Sequence, residues 1–340
     1  MIAKLQCNRV RRTYLGGGRI DAFTGGSRLL QPSTGETPVV PVQPSPTGET
    51  PVVPVEMPRP EDWMASTTTA FNGTLEIEGE GLGRLEDGRL VKDVVGTLPI
   101  LVKLLDSDER LVIQAHPTVP CAKRLFNSPV GKTECWYFLD GTAPDACVYL
   151  GFKPGVTREQ WKSAFESQSG LLEMLHRIPV KAGDFVFVDG GMPHAIGGGC
   201  FMIELQEPSD LMVVAERVTP SGRRIPDAKM HGGVGWEKMF EVYEYEGRTF
   251  EETCARYVRR AAETAAPVTQ ILGSELTDKF EMWRVTNGGR VALQRDRSVA
   301  VVTDGAGEVN GLAVKKGDRL VIADERQLAV SGGVTLVVCA

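Results

Sequence analysis

Residues 112–138 read VIQAHPTVPCAKRLFNSPVGKTECWYF, and a few polar side chains in and after this stretch decide how the chain is read. Gln114 and His116 stand at i and i+2. In a strand such residues project to the same face, so both aim at one place. Glu134 follows in TECWYF, a second strand-like run able to lie beside the first, and His194 comes later in DGGMPHAIGGG. Two imidazoles, a carboxylate and an amide oxygen form a suitable ligand set for one divalent ion such as zinc.

Outward from this stretch, most of the text predicts short strands. LPILVKLLDSDERLVIQAHP at 98–117 reads as a strand, a turn at DSDE and the strand that carries Gln114 and His116. ACVYLGF at 146–152, DFVFV at 184–188 and CFMIELQ at 200–206 read as further strands. TREQWKSAFESQSGLLEMLHRI at 157–178 has helical apolar spacing, with Thr157 as its N-cap. RRTYLGGGRIDAF at 11–23 reads as a turn between two weak strands. TGETPVVPV at 34–42 recurs at 47–55, and its prolines predict an exposed, extended spacer. The polar text at 209–226 reads as loop, while 236–264 mixes aromatic and charged residues without a clear period. Beyond about residue 270, short apolar runs separated by Gly and Asp predict a small all-β unit. Its segment VKKGDRLVIA at 314–323 echoes VKAGDFVFVD at 180–189, but no Pro-His follows the later copy.

Bulk properties narrow the function classes. A chain of 340 residues is long enough to bury a full core and to form two or three domains. Its net charge of −6 argues against a nucleic-acid partner, because phosphate backbones require a basic face. Seven cysteines without a CxxC pair point to a reducing compartment rather than a disulfide framework or a thiolate cluster. No apolar run approaches the roughly 18 residues of a membrane helix, and MIAKLQCNRVRR has no signal-peptide core. The expected location is the cytoplasm, with no membrane partner.

Gly-Asp, a strand and then Gly-x-Pro-His in a turn is a pattern of cupin barrels. Four blocks together carry a more specific resemblance: IQAHP at 113–117, GKTECWY at 131–137, GMPHAIGGG at 191–199 and IELQEPSD at 203–210. In that order they resemble the type I mannose-6-phosphate isomerases, in particular their short bacterial branch. The resemblance runs from about residue 60 to 240 and takes in PEDW and TPSGRRIPD. It implies an all-β cupin fold (a double-stranded β-helix or jelly roll) and one zinc per chain held by Gln114, His116, Glu134 and His194. It also implies a sugar-phosphate substrate, with mannose 6-phosphate and fructose 6-phosphate interconverted through a cis-enediol. Glu204 matches a carboxylate of the family's cleft and a candidate for proton transfer. Lys103 and Lys132 match two lysines facing the metal, able to stabilise an enediolate or bind phosphate, and Asp210 supports the pocket rim.

The organisation expected from these readings has four parts. N-terminal strands with the proline-rich insertion occupy 1–57, and a catalytic cupin domain with a helical insertion near 157–178 occupies 58–235. A connecting segment covers 236–268, and a metal-free, cupin-like β domain covers 269–340. Two positions depart from the family pattern. Val112 stands where a serine usually helps to hold phosphate, and Val214 stands where an arginine is usual; Arg217, Arg223 and Arg224 are the nearby substitutes. These departures leave two alternatives: a metal-binding cupin with a sugar-binding or regulatory role, or an isomerase for another sugar. His176 and His231 read as structural, and Trp63 and Trp136 as packing residues.

Overall fold

The computed structural model describes residues 1–25, 57–72, 77–261 and 264–340, so the proline-rich repeat lies outside the described residues. The protein is all-β, as expected: twenty strands among the described residues form three antiparallel sheets, with only short helices between them. A seven-stranded sheet runs in the order Val258–Arg259, Phe185–Val188, Glu134–Phe138, Cys200–Gln206, Leu101–Ser107, Glu61–Met64 and Arg9–Val10. A five-stranded sheet runs Val213–Val214, Gln114–Ala115, His194–Ile196, Cys147–Phe152 and Leu175–Pro179.

These two sheets share one core. Trp136, Phe138 and Met202 from the first lie in the same apolar cluster as Val148, Leu150 and Ile178 from the second. Each such side chain, fully buried, contributes about 1.5–3 kcal/mol. Cys200–Gln206 is buried at every position, because it is a central strand covered on both faces. That explains its nearly continuous apolar text and makes its two polar members, Glu204 and Gln206, conspicuous.

The third, eight-stranded sheet holds the C-terminal strands from Val268–Leu272 to Gln327–Cys339, and Ile2–Lys4 closes one edge by pairing with Arg319–Ala323. The echoed V-K-x-G-D segments form the same turn in both places. Asp184 N–H donates to Lys181 O at 3.0 Å, and Lys181 N–H donates back to the Asp184 carboxylate at 3.2 Å. Asp318 and Lys315 repeat both bonds, each at 3.0 Å. The glycine before each aspartate is left-handed, with φ of 83° at Gly183 and 88° at Gly317, which a residue with a Cβ adopts only under strain.

Two local expectations are corrected. RRTYLGGGRIDAF is not a turn between strands, because its second half forms the helix Gly18–Thr24. The buried Asp106 carboxylate accepts from Gly17 N–H at 2.8 Å and Arg19 N–H at 2.7 Å, and this distant partner stabilises the helix start. The helix expected over 157–178 spans only Arg158–Ser167. Its Thr157–Gln160 capping box is present, but Gln168 turns left-handed at φ 53° and ends it. Residues Leu175–Pro179 instead pair with Cys147–Phe152, burying Leu175 and Ile178. His176 is therefore a strand residue.

Candidate metal centre

Glu134 does not lie beside Gln114 and His116 in one sheet, as the sequence suggested. Its strand pairs with Cys200–Gln206 and Phe185–Val188 in the seven-stranded sheet, whereas Gln114 pairs with His194 and Val214 in the five-stranded one. The cluster thus forms between sheets: register-paired residues share a face, so Gln114, His194 and Val214 make one row across the five-stranded sheet. Chain crossings fix the spacing. Gly191 N–H donates to His116 O at 2.6 Å, and Lys132 N–H donates to Pro117 O at 3.0 Å. A Cβ on Gly190 would lie 2.9 Å from Thr118 Cα, and one on Gly131 would lie 2.6 Å from Pro117 O. Only glycine lets these loops pass against the segment that follows His116.

One ligand atom each from His116, Glu134 and His194 lies within 4.8 Å of the others, and all three residues are buried. His116 Nδ1 faces Leu211 O at 2.8 Å, and His194 Nδ1 faces Met192 O at 2.9 Å. These carbonyls accept the Nδ1–H, which turns each Nε2 lone pair inward. Glu134 Oε2 is 3.3 Å from His116 Nε2, and Glu134 Oε1 is 3.3 Å from His194 Nε2. His194 Nε2 and Glu134 Oε1 are buried without a hydrogen-bond partner. Two inward-facing acceptors left unsatisfied are what a cation would complete. The same spot already draws positive charge, since Lys132 Nζ sits 2.7 Å from both His116 Nε2 and Glu134 Oε2.

Protonation matches this reading. Burial pushes His194 down to about 3, and burial followed by the charge of Lys132 lowers His116. Burial opposes ionisation of Glu134, but the charge of Lys132 leads the effects that outweigh it and hold the carboxyl well below its usual range. Neutral imidazoles and an ionised carboxylate are the forms that bind metal. Trp136 packs edge-on against His194, with centroids 5.6 Å apart.

Gln114, Lys132, Lys103 and Glu204 line one cavity beside the cluster, together with Val112 and Val214. Lys103 Nζ is 2.7 Å from Glu204 Oε2 as an ion pair between register partners. Burial raises the Glu204 pKa; Lys103 pulls it down and Glu134 adds to the rise. Burial opposes the charge on Lys103, and Glu204, Glu61 and Asp210 more than restore it, leaving its pKa raised. The cavity also contains Arg12, Tyr14, Glu61 and Lys229, which sequence reasoning missed. Tyr14 OH donates to Glu61 Oε1 at 2.7 Å and Trp63 Nε1–H to Glu61 Oε2 at 2.7 Å, while Asp210 accepts from Arg12 at 3.2 Å. The pair Glu61–Trp63, at i and i+2 in PEDW, was the one local signal for this wall.

The suggested arginine substitutes do not line the cavity. Arg217 stacks over Phe165 and Trp236, and Arg224 is exposed. His176 Nε2 lies 2.8 Å from Arg248 O, and His231 Nδ1 accepts from Gly233 N–H at 3.1 Å. Both histidines serve their local backbone, as expected.

With this geometry in place, comparison with known proteins is decisive for the fold. No protein-family model matches the chain. It is 40% identical over 112 residues to the mannose-6-phosphate isomerase ManA of Bacillus subtilis, covering 33% of this chain and 35% of that protein. It is 28% identical over 230 residues to the mannose-6-phosphate isomerase of Streptococcus mutans, covering 66% and 68%. The chain resembles the mannose-6-phosphate isomerases. The match to ManA spans about a third of that protein's length, whereas the likeness in fold extends over both chains. The crystal structure of the Bacillus subtilis mannose 6-phosphate isomerase superposes with TM-score 0.72 at 19% identity, covering 100% of this chain and 99% of that one. A mannose 6-phosphate isomerase bound with zinc and yttrium gives TM-score 0.65 at 14% identity, covering 99% and 98%. These matches establish the all-β fold of such isomerases for the whole chain. No helix among the described residues is long and apolar enough to cross a membrane.

Proposed function

We propose that the protein is a zinc-dependent aldose–ketose isomerase that interconverts mannose 6-phosphate and fructose 6-phosphate through a cis-enediol. The observation that carries the reading is the buried His116–Glu134–His194 cluster, contacted by Lys132, which also lines the adjacent cavity that holds the Lys103–Glu204 pair. We assign one zinc per chain to His116, Glu134, His194 and the adjacent Gln114, a donor set of nitrogen and oxygen atoms suited to that ion. When bound, zinc would supply positive charge against the negative charge that develops on the sugar's C1 and C2 oxygens.

The remaining chemistry falls to the chain's own side chains. Isomerisation removes a proton from C2, moves the O2 proton to O1 and returns a proton to C1, so one carboxyl that both accepts and donates suffices. Glu204 suits that role, because burial holds its pKa above the ordinary range while Lys103 orients it. Lys132 places an ammonium at the cluster to steady the enediolate. The cavity has about 40 Å³ of open interior. We assign catalysis to 58–235, a connecting role to 236–268 and structural support to 269–340, and place the protein in cytoplasmic carbohydrate metabolism.

The test is conversion of mannose 6-phosphate to fructose 6-phosphate by the zinc-loaded protein beside Glu134→Ala. Turnover well above that variant is expected; equal turnover would overturn the reading.

A further inference from the structure

Four cationic side chains line the cavity beside the cluster, and three are already matched. Arg12 Nε contacts Glu61 at 3.0 Å, and its Nη2 reaches both oxygens of Asp210 at 3.2 Å. Lys103 pairs with Glu204 and Glu61 at 2.7 and 3.8 Å. Lys132 pairs with Glu134 at 2.7 Å. Lys229 is different. It is 4% exposed, and among the described residues its ammonium has no hydrogen bond or ion pair; only longer-range charges act on it. A buried cation without a counter-ion is costly, and an incoming anion relieves that cost.

The surrounding wall explains why this one lysine matters. Val112 and Val214 line the same cavity, and Val214 is the register partner of Gln114. Neither side chain has a donor to offer an anionic group, and the arginines at 217, 223 and 224 are not among the lining residues. The one unmatched charge in the cavity is thus supplied from the short helix Asp227–Met230.

We propose that Lys229 is the anchor for the phosphate group of the sugar substrate and sets the preference for phosphorylated over free sugars. This rests on reading the cavity as a sugar-phosphate isomerase site. Burial, followed by repulsion from Arg12, lowers the Lys229 pKa to about 8. The ammonium therefore stays largely charged at neutral pH, as a phosphate anchor requires.

The test uses the zinc-loaded full chain and two variants, Lys229→Met and Lys229→Arg, with equal zinc content as the check on folding. Two quantities are read: KM for mannose 6-phosphate, and the calorimetric Kd for inorganic phosphate. A charge-assisted contact of ordinary strength predicts that Lys229→Met raises both by about 10- to 100-fold. Lys229→Arg should recover most of the loss, and the effect should fall on KM more than on kcat. Wild-type values in Lys229→Met would overturn the anchor while leaving the isomerase reading intact. Lys229-dependent phosphate binding without any turnover by the wild type would support the anchor and overturn the isomerase reading.

Discussion

The turns at Val180–Asp189 and Val314–Ala323 have the same sequence pattern, the same hydrogen bonds and the same left-handed glycine, yet the β units around them differ in their interiors. The strand after Asp184 leads to Gly190, Gly191 and then His194, inside a core that also holds Glu134, Glu204, Lys103 and Lys132. The strand after Asp318 enters a cluster that includes Val302, Val314, Leu320, Ile322 and Leu336. The shared turn specifies a hairpin entry, and the side chains facing inward decide how much buried charge the interior carries. Buried charges are costly unless paired. The first unit accepts that cost at its centre, and the C-terminal unit fills the equivalent space with aliphatic packing.

Substitutions can break or sharpen this contrast. The largest expected effect is Glu204→Gln, which should lower kcat by about 10²- to 10⁴-fold, as for loss of a general acid–base, with zinc retained. In the other unit, Leu320→Ala removes a fully buried side chain. It should cost about 2–5 kcal/mol in denaturant unfolding, again with zinc retained. Gly190→Ala forces a Cβ against Thr118; a cost of about 1–3 kcal/mol and weaker zinc binding are expected. The paired turns give the sharpest comparison. The Asp184 side chain is 1% exposed and also accepts from Arg260 and Ala261 N–H, whereas Asp318 is 16% exposed and pairs with Lys4. Asp184→Ala should therefore cost about 2–3 kcal/mol and Asp318→Ala about 1 kcal/mol or less.

The contrast also extends to pH dependence. The folded pKa of Lys229 is about 8, against an ordinary 10.5, so between these values the unfolded chain binds more protons. Stability of the wild type should then rise with pH across that window relative to Lys229→Met. Unfolding curves at pH 8 and 10 would measure it, and a flat difference would remove the lowered pKa.

Much of the fold was legible because its strands are short, local apolar runs such as DFVFV and CFMIELQ. The two-residue spacing nominated Gln114 and His116 and the Gly-rich turn nominated His194, and the structure brings His116 and His194 together with Glu134. What was not legible depends on partners far along the chain. The Gly18–Thr24 helix depends on Asp106, and the end of the 158–167 helix on strand pairing by the residues that follow. Glu134 proved to lie in a different sheet from Gln114. Arg12, Glu61 and Lys229 reach the cavity from three separate segments, and no local pattern joins them.

The reading proposed above places one metal centre in the first β unit, built on His194. Elemental analysis of the purified full chain and of His194→Ala, after dialysis against zinc, tests it directly. About one zinc per wild-type chain and loss of it in the variant are expected. Full occupancy in His194→Ala would contradict it.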